Sequence, residues 1–245
     1  MSFVKPSITF ILLSHNDDIS LVTRVNEYLK SGINSASLLV VDSGNINRLD
    51  KIFVEQLINS ENIEVIDQES NGIYESMNSA IKKIKTSHYI ILGLDDVFFF
   101  KKILDILSHL SKDIIFLGVR KGEKDLSYLN LKNLPYSPAG IFPSHTAGAV
   151  ISKKMHYEYG FYNPDFKVSA DLLFLTNCIQ NGAEITFLKD VYAVIGDQGF
   201  SKSNEILSEY ESHFIRLKLG ANSIYSIYLM IFRIFKRYIK RIINK

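Results

Sequence analysis

The chain of 245 residues contains one cysteine, Cys178. That excludes an internal disulfide framework and any Cys-rich zinc site, and it suits a reducing compartment. There is no G-x-G-x-x-G and no G-x-x-x-x-G-K-[ST], so the usual dinucleotide and P-loop readings lack their motifs. No internal repeat and no low-complexity linker interrupts the chain. The apolar run near the N-terminus is short, follows Pro6 and ends in polar residues. It lacks the length and cleavage site of a signal peptide, so it reads as a buried first strand and no export is expected.

Acidic residues are missing from the last part altogether. None follows Glu211, whereas eight basic residues do: Arg216, Lys218, Arg233, Lys236, Arg237, Lys240, Arg241 and Lys245. Taking these eight from the 28 basic residues leaves 20 against 26 acidic ones, so a body of about −6 precedes a tail of +8. Such a split points to a tail that meets an anionic surface.

What is present is enough for a sizeable core, since 47% of the residues are hydrophobic. Short apolar runs at 7–14, 37–42, 63–67, 88–95 and 113–119 alternate with segments of helical spacing. Leu21, Val22, Val25 and Leu29 mark one helix, Ile52, Phe53, Leu57 and Ile58 a second, and Met77, Ala80, Ile81 and Ile84 a third. This alternation predicts an α/β fold with a mostly parallel sheet covered by helices on both faces. Right-handed crossovers bring the strand C-termini to one edge, where ligands bind in open α/β sheets. The polar strand ends Ser14-His15-Asn16, Asp42-Ser43-Gly44 and Asp95-Asp96 therefore converge on one crevice.

The second half is less regular. Residues 126–143 hold three prolines and read as a long loop, either a lid or an acceptor-side loop. A strand is expected at 146–151, a helix at 170–180, two short strands at 184–189 and 192–195, then helices at 204–219 and from 223 onward. The expected domains are a catalytic one over 1–202 and a helical segment with a basic tail over 203–245.

Three motifs carry chemistry. In IILGLDD (90–96) a buried strand ends in two adjacent carboxylates. Their mutual repulsion is relieved by a hard divalent cation, Mg²⁺ or Mn²⁺, shared with substrate phosphates. The plainer alternative is an exposed turn. LLVVDSG (38–44) suits an Asx-turn or helix N-cap, and its Asp42, followed by Ser43, can also accept hydrogen bonds from a ribose or a base. In VSADLLF (168–174), Asp171 reads as a helix N-cap, and a helix start also sets its carboxylate at a rigid cleft edge, so both can hold at once.

Read whole, ESNGIYESMNSAIKKIKTSHYIILGLDD (69–96) resembles the family 2 glycosyltransferases, in particular the bacterial enzymes of capsule, O-antigen and exopolysaccharide assembly. Gly72, Ile73, Tyr74, Glu75, Met77, Asn78, Asp95 and Asp96 carry the match. The likeness extends over roughly residues 7–200, including 145–182. It implies a GT-A-like, Rossmann-like fold and inverting, hexosyltransferase-type transfer from a nucleotide-sugar, UDP by family habit, to a saccharide or lipid-linked acceptor. It implies a divalent cation, Mn²⁺ or Mg²⁺, on Asp96 and a catalytic base at Asp171. Asn16, Asp42, Ser43, Asn78 and Asp95 are implied in nucleotide binding. Gly72, Tyr74 and His145 match recurrent positions of unassigned role, and GDQGFS (196–201) matches a segment near the domain's end. The match is imperfect: Leu94 stands at the first position of a strict DxD, Ser70 or Asn71 where Asp is frequent, Glu75 for Asp and Thr146 for Gln.

Two other functions compete. One is a scaffold that keeps the fold and binds nucleotide without turnover. The other is a nucleotidyltransferase, which wants a Gly-rich basic loop that SHNDDISLVTR does not offer.

The tail places Arg233, Lys236, Arg237, Lys240 and Arg241 on one helical face and Ile231, Phe232, Phe235, Tyr238, Ile239 and Ile242 on the other. It predicts an amphipathic helix on anionic lipid and a peripheral location on the cytoplasmic side of the plasma membrane. The alternative is packing on the body or on another subunit. No nucleic-acid partner is expected, because the body is acidic.

Overall fold

The computed structural model describes residues 7–44, 49–68, 72–126, 145–196 and 200–243. The expected loop over 126–143 lies outside them apart from Leu126, as do Ser70, Asn71 and residues 197–199 of GDQGFS.

Four parallel strands form the first half: β1 (Ile8–Ser14), β2 (Ala36–Asp42), β3 (Ile63–Asp67) and β4 (His88–Leu92). Helices α1 (Asp18–Ser31), α2 (Lys51–Ile58) and α3 (Ile73–Lys83) connect them. Ser14 pairs with Asp42 and Asp42 with Asp67, so the strand ends lie level along one edge. β1 shows why the sheet needs cover on both faces. Ile8, Phe10 and Leu12 enter one apolar cluster with Leu21 and Val25 of α1, whereas Ile11 enters another with Met77 and Ile81 of α3. That is the period-2 alternation of a strand buried on both sides. α1 is closed by Asp17, which accepts from the Ser20 N–H, and by Gly32 at φ 67°, a left-handed cap suited to glycine.

The second half adds β5 (Val97–Phe98), β6 (Ile114–Lys121), β7 (Lys124–Leu126), β8 (Ala149–Ser152) and β9 (Ile185–Ile195), with α4 (Ile103–Leu107), α5 (Lys154–Tyr159) and α6 (Ala170–Gln180). Among the described residues the sheet runs β3-β2-β1-β4-β8-β6-β9-β5, with β7 beside β6. β8 runs antiparallel to both β4 and β6, and β5 antiparallel to β9. The sheet is thus parallel in its first half and mixed beyond β4.

Several boundaries differ from expectation. The fourth strand stops at Leu92, because Gly93 and Asp96 close a turn (Asp96 N–H to Gly93 O, 3.2 Å). The expected strand at 146–151 begins as a 3-10 turn over Thr146–Gly148. The two strands expected at 184–195 are one strand, β9. Its pairing with β6 slips at Gly118, where Lys189 and Asp190 bulge. The carbonyl groups of these two residues occupy the space a side chain at 118 would need, so the break expected between the strands 184–189 and 192–195 is a bulge within one strand. At the C-terminus α7 (Phe200–Ser203) precedes α8 (Glu205–Lys218) and α9 (Ser223–Ile243), and α9 packs on α8.

Candidate active site

The edge where β1, β2 and β4 end carries most of the anticipated residues. His15 Nδ1 lies 2.9 Å from Ser43 Oγ, and Asn16 Nδ2 lies 3.2 Å from His15 Nε2. Asn16 sits at φ 54°, a left-handed conformation that asparagine tolerates better than most residues. His15, Ser43, Gly72, Tyr74 and Glu75 line a cleft of about 370 Å³, together with Pro164, Phe166, Lys167 and Phe200.

Asp42 is not on that wall. Its side chain is fully buried between β1 and β3, and Ser43 faces the cleft instead. Asn78 is also absent from the wall. Its Nδ2 donates to the Tyr162 carbonyl at 2.8 Å and its Oδ1 accepts from the Tyr162 N–H at 3.0 Å. Both ends of the amide thus tie α3 to the segment before α6.

Asp95 and Asp96 form the expected turn, but it is not solvent-exposed at Asp96. That residue is 1% exposed. Its Oδ2 accepts from the Gly93 N–H at 2.8 Å and its Oδ1 from the Gly196 N–H at 3.2 Å. Arg24 of α1 donates to its carbonyl at 3.1 Å. β5 brings this turn to Gly196 by pairing with β9. A side chain at Gly196 would collide with the Asp95 carboxylate. Burial raises the Asp96 pKa, against the lowering effects of His145 and the two N–H groups.

His145 stands next to this carboxylate. Its Nδ1 is 3.8 Å from Asp96 Oδ2 and accepts the Ala147 N–H at 3.3 Å. Nδ1 has a single lone pair, so it either accepts the Ala147 N–H or, once that bond is released, turns to a cation beside Asp96 Oδ2. The described residues contain no group of three or more His, Cys, Asp or Glu side chains suited to a metal. Asp96 and His145 fit a shared ion, since Mg²⁺-like cations take one or two protein ligands and complete their shell with phosphate and water.

Asp171 lies in the first turn of α6, whose N-cap is Ser169, so the N-cap alternative for Asp171 does not hold. Tyr74 Oη donates to Asp171 Oδ1 at 2.8 Å. Burial raises the Asp171 pKa, and the bond from Tyr74 opposes that rise. Tyr74 thus faces the cleft and holds the carboxylate behind it. Asp171, Thr146 and Tyr162 border a small gap next to the cleft.

Some supports carry no sequence signal. Glu211 of α8 is buried and accepts three backbone N–H groups, from Lys167 at 2.6 Å, Val168 at 2.9 Å and Ser169 at 2.8 Å. It pins the approach to α6 from 42 or more residues away. Arg24 and Gly196 reach Asp96 by similarly long chain separations, so no local motif marks them.

No protein-family model and no curated protein matches the chain. Solved structures do. Staphylococcus aureus TarS 1–349 in complex with UDP-GlcNAc superposes with a TM-score of 0.64 at 15% identity, over 90% of this chain and 69% of that one. The fold is GT-A-like. The mannosyltransferase PcManGT from Pyrobaculum calidifontis, in complex with GDP-Man and Mn²⁺, matches with a TM-score of 0.65 at 13% identity, over 92% and 70%. A longer TarS structure matches at 0.61 and 16% identity, with 90% of this chain spanning 41% of that one. At these identities the GT-A-like architecture is what is shared.

Proposed function

We propose that this chain transfers a sugar from a nucleoside-diphosphate-sugar to an acceptor hydroxyl, as an inverting glycosyltransferase of the family 2 type in surface polysaccharide assembly. One observation carries the reading. In a GT-A-like sheet, the buried Asp96 carboxylate, His145 and the Tyr74-held Asp171 gather along the strand-end edge beside an open cleft. The solved neighbours with bound UDP-GlcNAc or GDP-Man support it.

The cleft between the β1 and β2 ends and α3 takes the nucleoside, with His15, Asn16 and Ser43 offering polar contacts. Asp95 and Asp96 face the diphosphate side. Asp96 and His145 are the residues that would hold a divalent cation, Mn²⁺ or Mg²⁺, which neutralises charge on the leaving diphosphate when bound. The anomeric C–O bond to the diphosphate breaks as the acceptor oxygen bonds to that carbon. The acceptor's proton passes to Asp171, whose raised pKa makes it a stronger base than an ordinary carboxylate. A base across the sugar from the leaving group gives inversion. The acceptor is a saccharide or lipid-linked alcohol.

A screen of UDP-, GDP- and dTDP-sugars for turnover tests this. Asp96→Ala and Asp171→Asn both abolish transfer, and only Asp96→Ala also removes the metal-dependent thermal stabilisation by nucleoside diphosphate. Full activity in either variant removes that residue from its role. Absence of any nucleotide response in the unaltered chain ends the proposal.

A further inference from the structure

The α8–α9 hairpin has its polarity reversed. Between the helices lie charged and polar groups. Glu209 is buried, accepts from Arg237 at 2.7 Å and lies 3.6 Å from Arg233, and Arg237 also meets Glu205 at 3.2 Å. Ser226 sits 2.8 Å from His213 Nδ1 and accepts from Arg216 at 3.1 Å. The outside carries many exposed apolar side chains, with Lys218 and Lys236 among them. On α9, Ile224, Tyr228, Ile231, Phe235, Tyr238 and Ile242 are each 58% exposed or more. On α8, Ile206, Tyr210 and Phe214 are exposed as well.

A water-facing hairpin buries its apolar stripe and exposes its charges. Here two arginines of the basic face expected to meet lipid are instead paired with α8. An apolar surface of this extent marks an interaction face.

Charge selects its occupant. No acidic residue follows Glu211, so every side chain of α9 that carries charge near neutral pH is basic. Glu205 and Glu209 of α8 already pair with Arg233 and Arg237, so two copies joined through this face would bring together the tail's remaining basic groups with no acidic group in the tail to offset them. An anionic lipid surface complements them, with lysines at headgroup level and the aliphatic and aromatic side chains below. α9 spans 21 residues, about 32 Å at 1.5 Å per residue. Among the described residues no helix is long and apolar enough to cross a membrane, so the hairpin lies along the surface.

We propose that α8 and α9 dock together on an anionic membrane surface, with their outward apolar side chains inserted and their inter-helix ion pairs kept intact. This stands apart from the proposed sugar transfer. It differs from binding by a lone basic tail, because α8 takes part and the apolar face carries the affinity.

The chain has no tryptophan, so one introduced indole reports its own position. Phe235→Trp on α9 and Phe214→Trp on α8 are mixed, as full-length chains, with phosphatidylcholine vesicles with and without 30 mole per cent phosphatidylglycerol, an arbitrary choice of about one lipid in three, enough for a strong negative surface potential. Both indoles shift to the blue on the anionic vesicles and are quenched by brominated acyl chains. The Ile231→Glu/Phe235→Glu variant loses at least tenfold in vesicle partitioning with its thermal midpoint unchanged. No shift of Phe214→Trp overturns the hairpin mode. Unchanged partitioning of the double variant overturns insertion. A dimer in buffer that the double variant splits, without vesicle binding by the unaltered chain, shows that a second copy covers the face instead.

Discussion

Tyr74 is the residue at which the cleft and the proposed base meet. Its hydroxyl donates to Asp171, and this bond favours the ionised carboxylate while burial disfavours it. Transfer by a general base falls away as pH drops through the pKa of that base. Tyr74→Phe removes the favourable bond, so the Asp171 pKa climbs further. The acid limb of kcat/KM moves to higher pH, and much of the lost rate returns in alkaline buffer. A loss equal at all pH values contradicts this role. The sign for stability is opposite. A carboxyl with a raised folded-state pKa helps folding most in its protonated form, below its unfolded value, and that help is lost as pH rises through the raised pKa. Asp171 is legible in the sequence as an acidic residue at a helix start. Its hydroxyl partner lies 97 positions away, and local patterns hold no record of such a pairing.

At the scale of elements, α6 depends on α8. Glu211 satisfies three N–H groups in the segment that leads into α6, two of them in bonds that are buried. Glu211→Ala leaves these donors unpaired in a site too enclosed for easy hydration. A cost of about 3 kcal/mol follows from the penalty for buried unsatisfied groups. Chemical denaturation measures it, and Glu211→Gln, which keeps one acceptor oxygen, recovers part of it. The α6 boundaries are readable from SADLLFLTNCIQ, and the helix occupies the expected residues. The element that anchors it is not readable, because a buried glutamate in a helix looks like any other polar position.

For the whole molecule, the tail contributes to stability as well as to any docking. Arg237 pairs with Glu205 and with the buried Glu209. Arg237 remains 39% exposed at its side chain, so water screens part of the interaction. Arg237→Ala is expected to cost about 2 kcal/mol, between the values for surface and buried pairs. Truncation before Ser223 lowers the thermal midpoint further, since Glu209 then loses Arg233 as well. Replacing Glu209 by Leu in the truncated chain restores part of the loss. An unchanged midpoint on truncation shows that α9 is not stabilised by these pairs.

The alternation of apolar runs with helical spacing was sufficient by itself to specify the parallel half-sheet, its two-sided cover and the edge where polar strand ends collect. Those features follow from side-chain period and chain handedness, which are local. The tertiary structure alone decided that Asp42 is buried, that Asn78 is spent on Tyr162, that Asp96 is enclosed by Gly93 and Gly196, and that Arg233 and Arg237 of α9 pair with glutamates of α8. Each of these turns on which distant backbone or side chain supplies a hydrogen bond or a counter-charge, and chain proximity does not encode that.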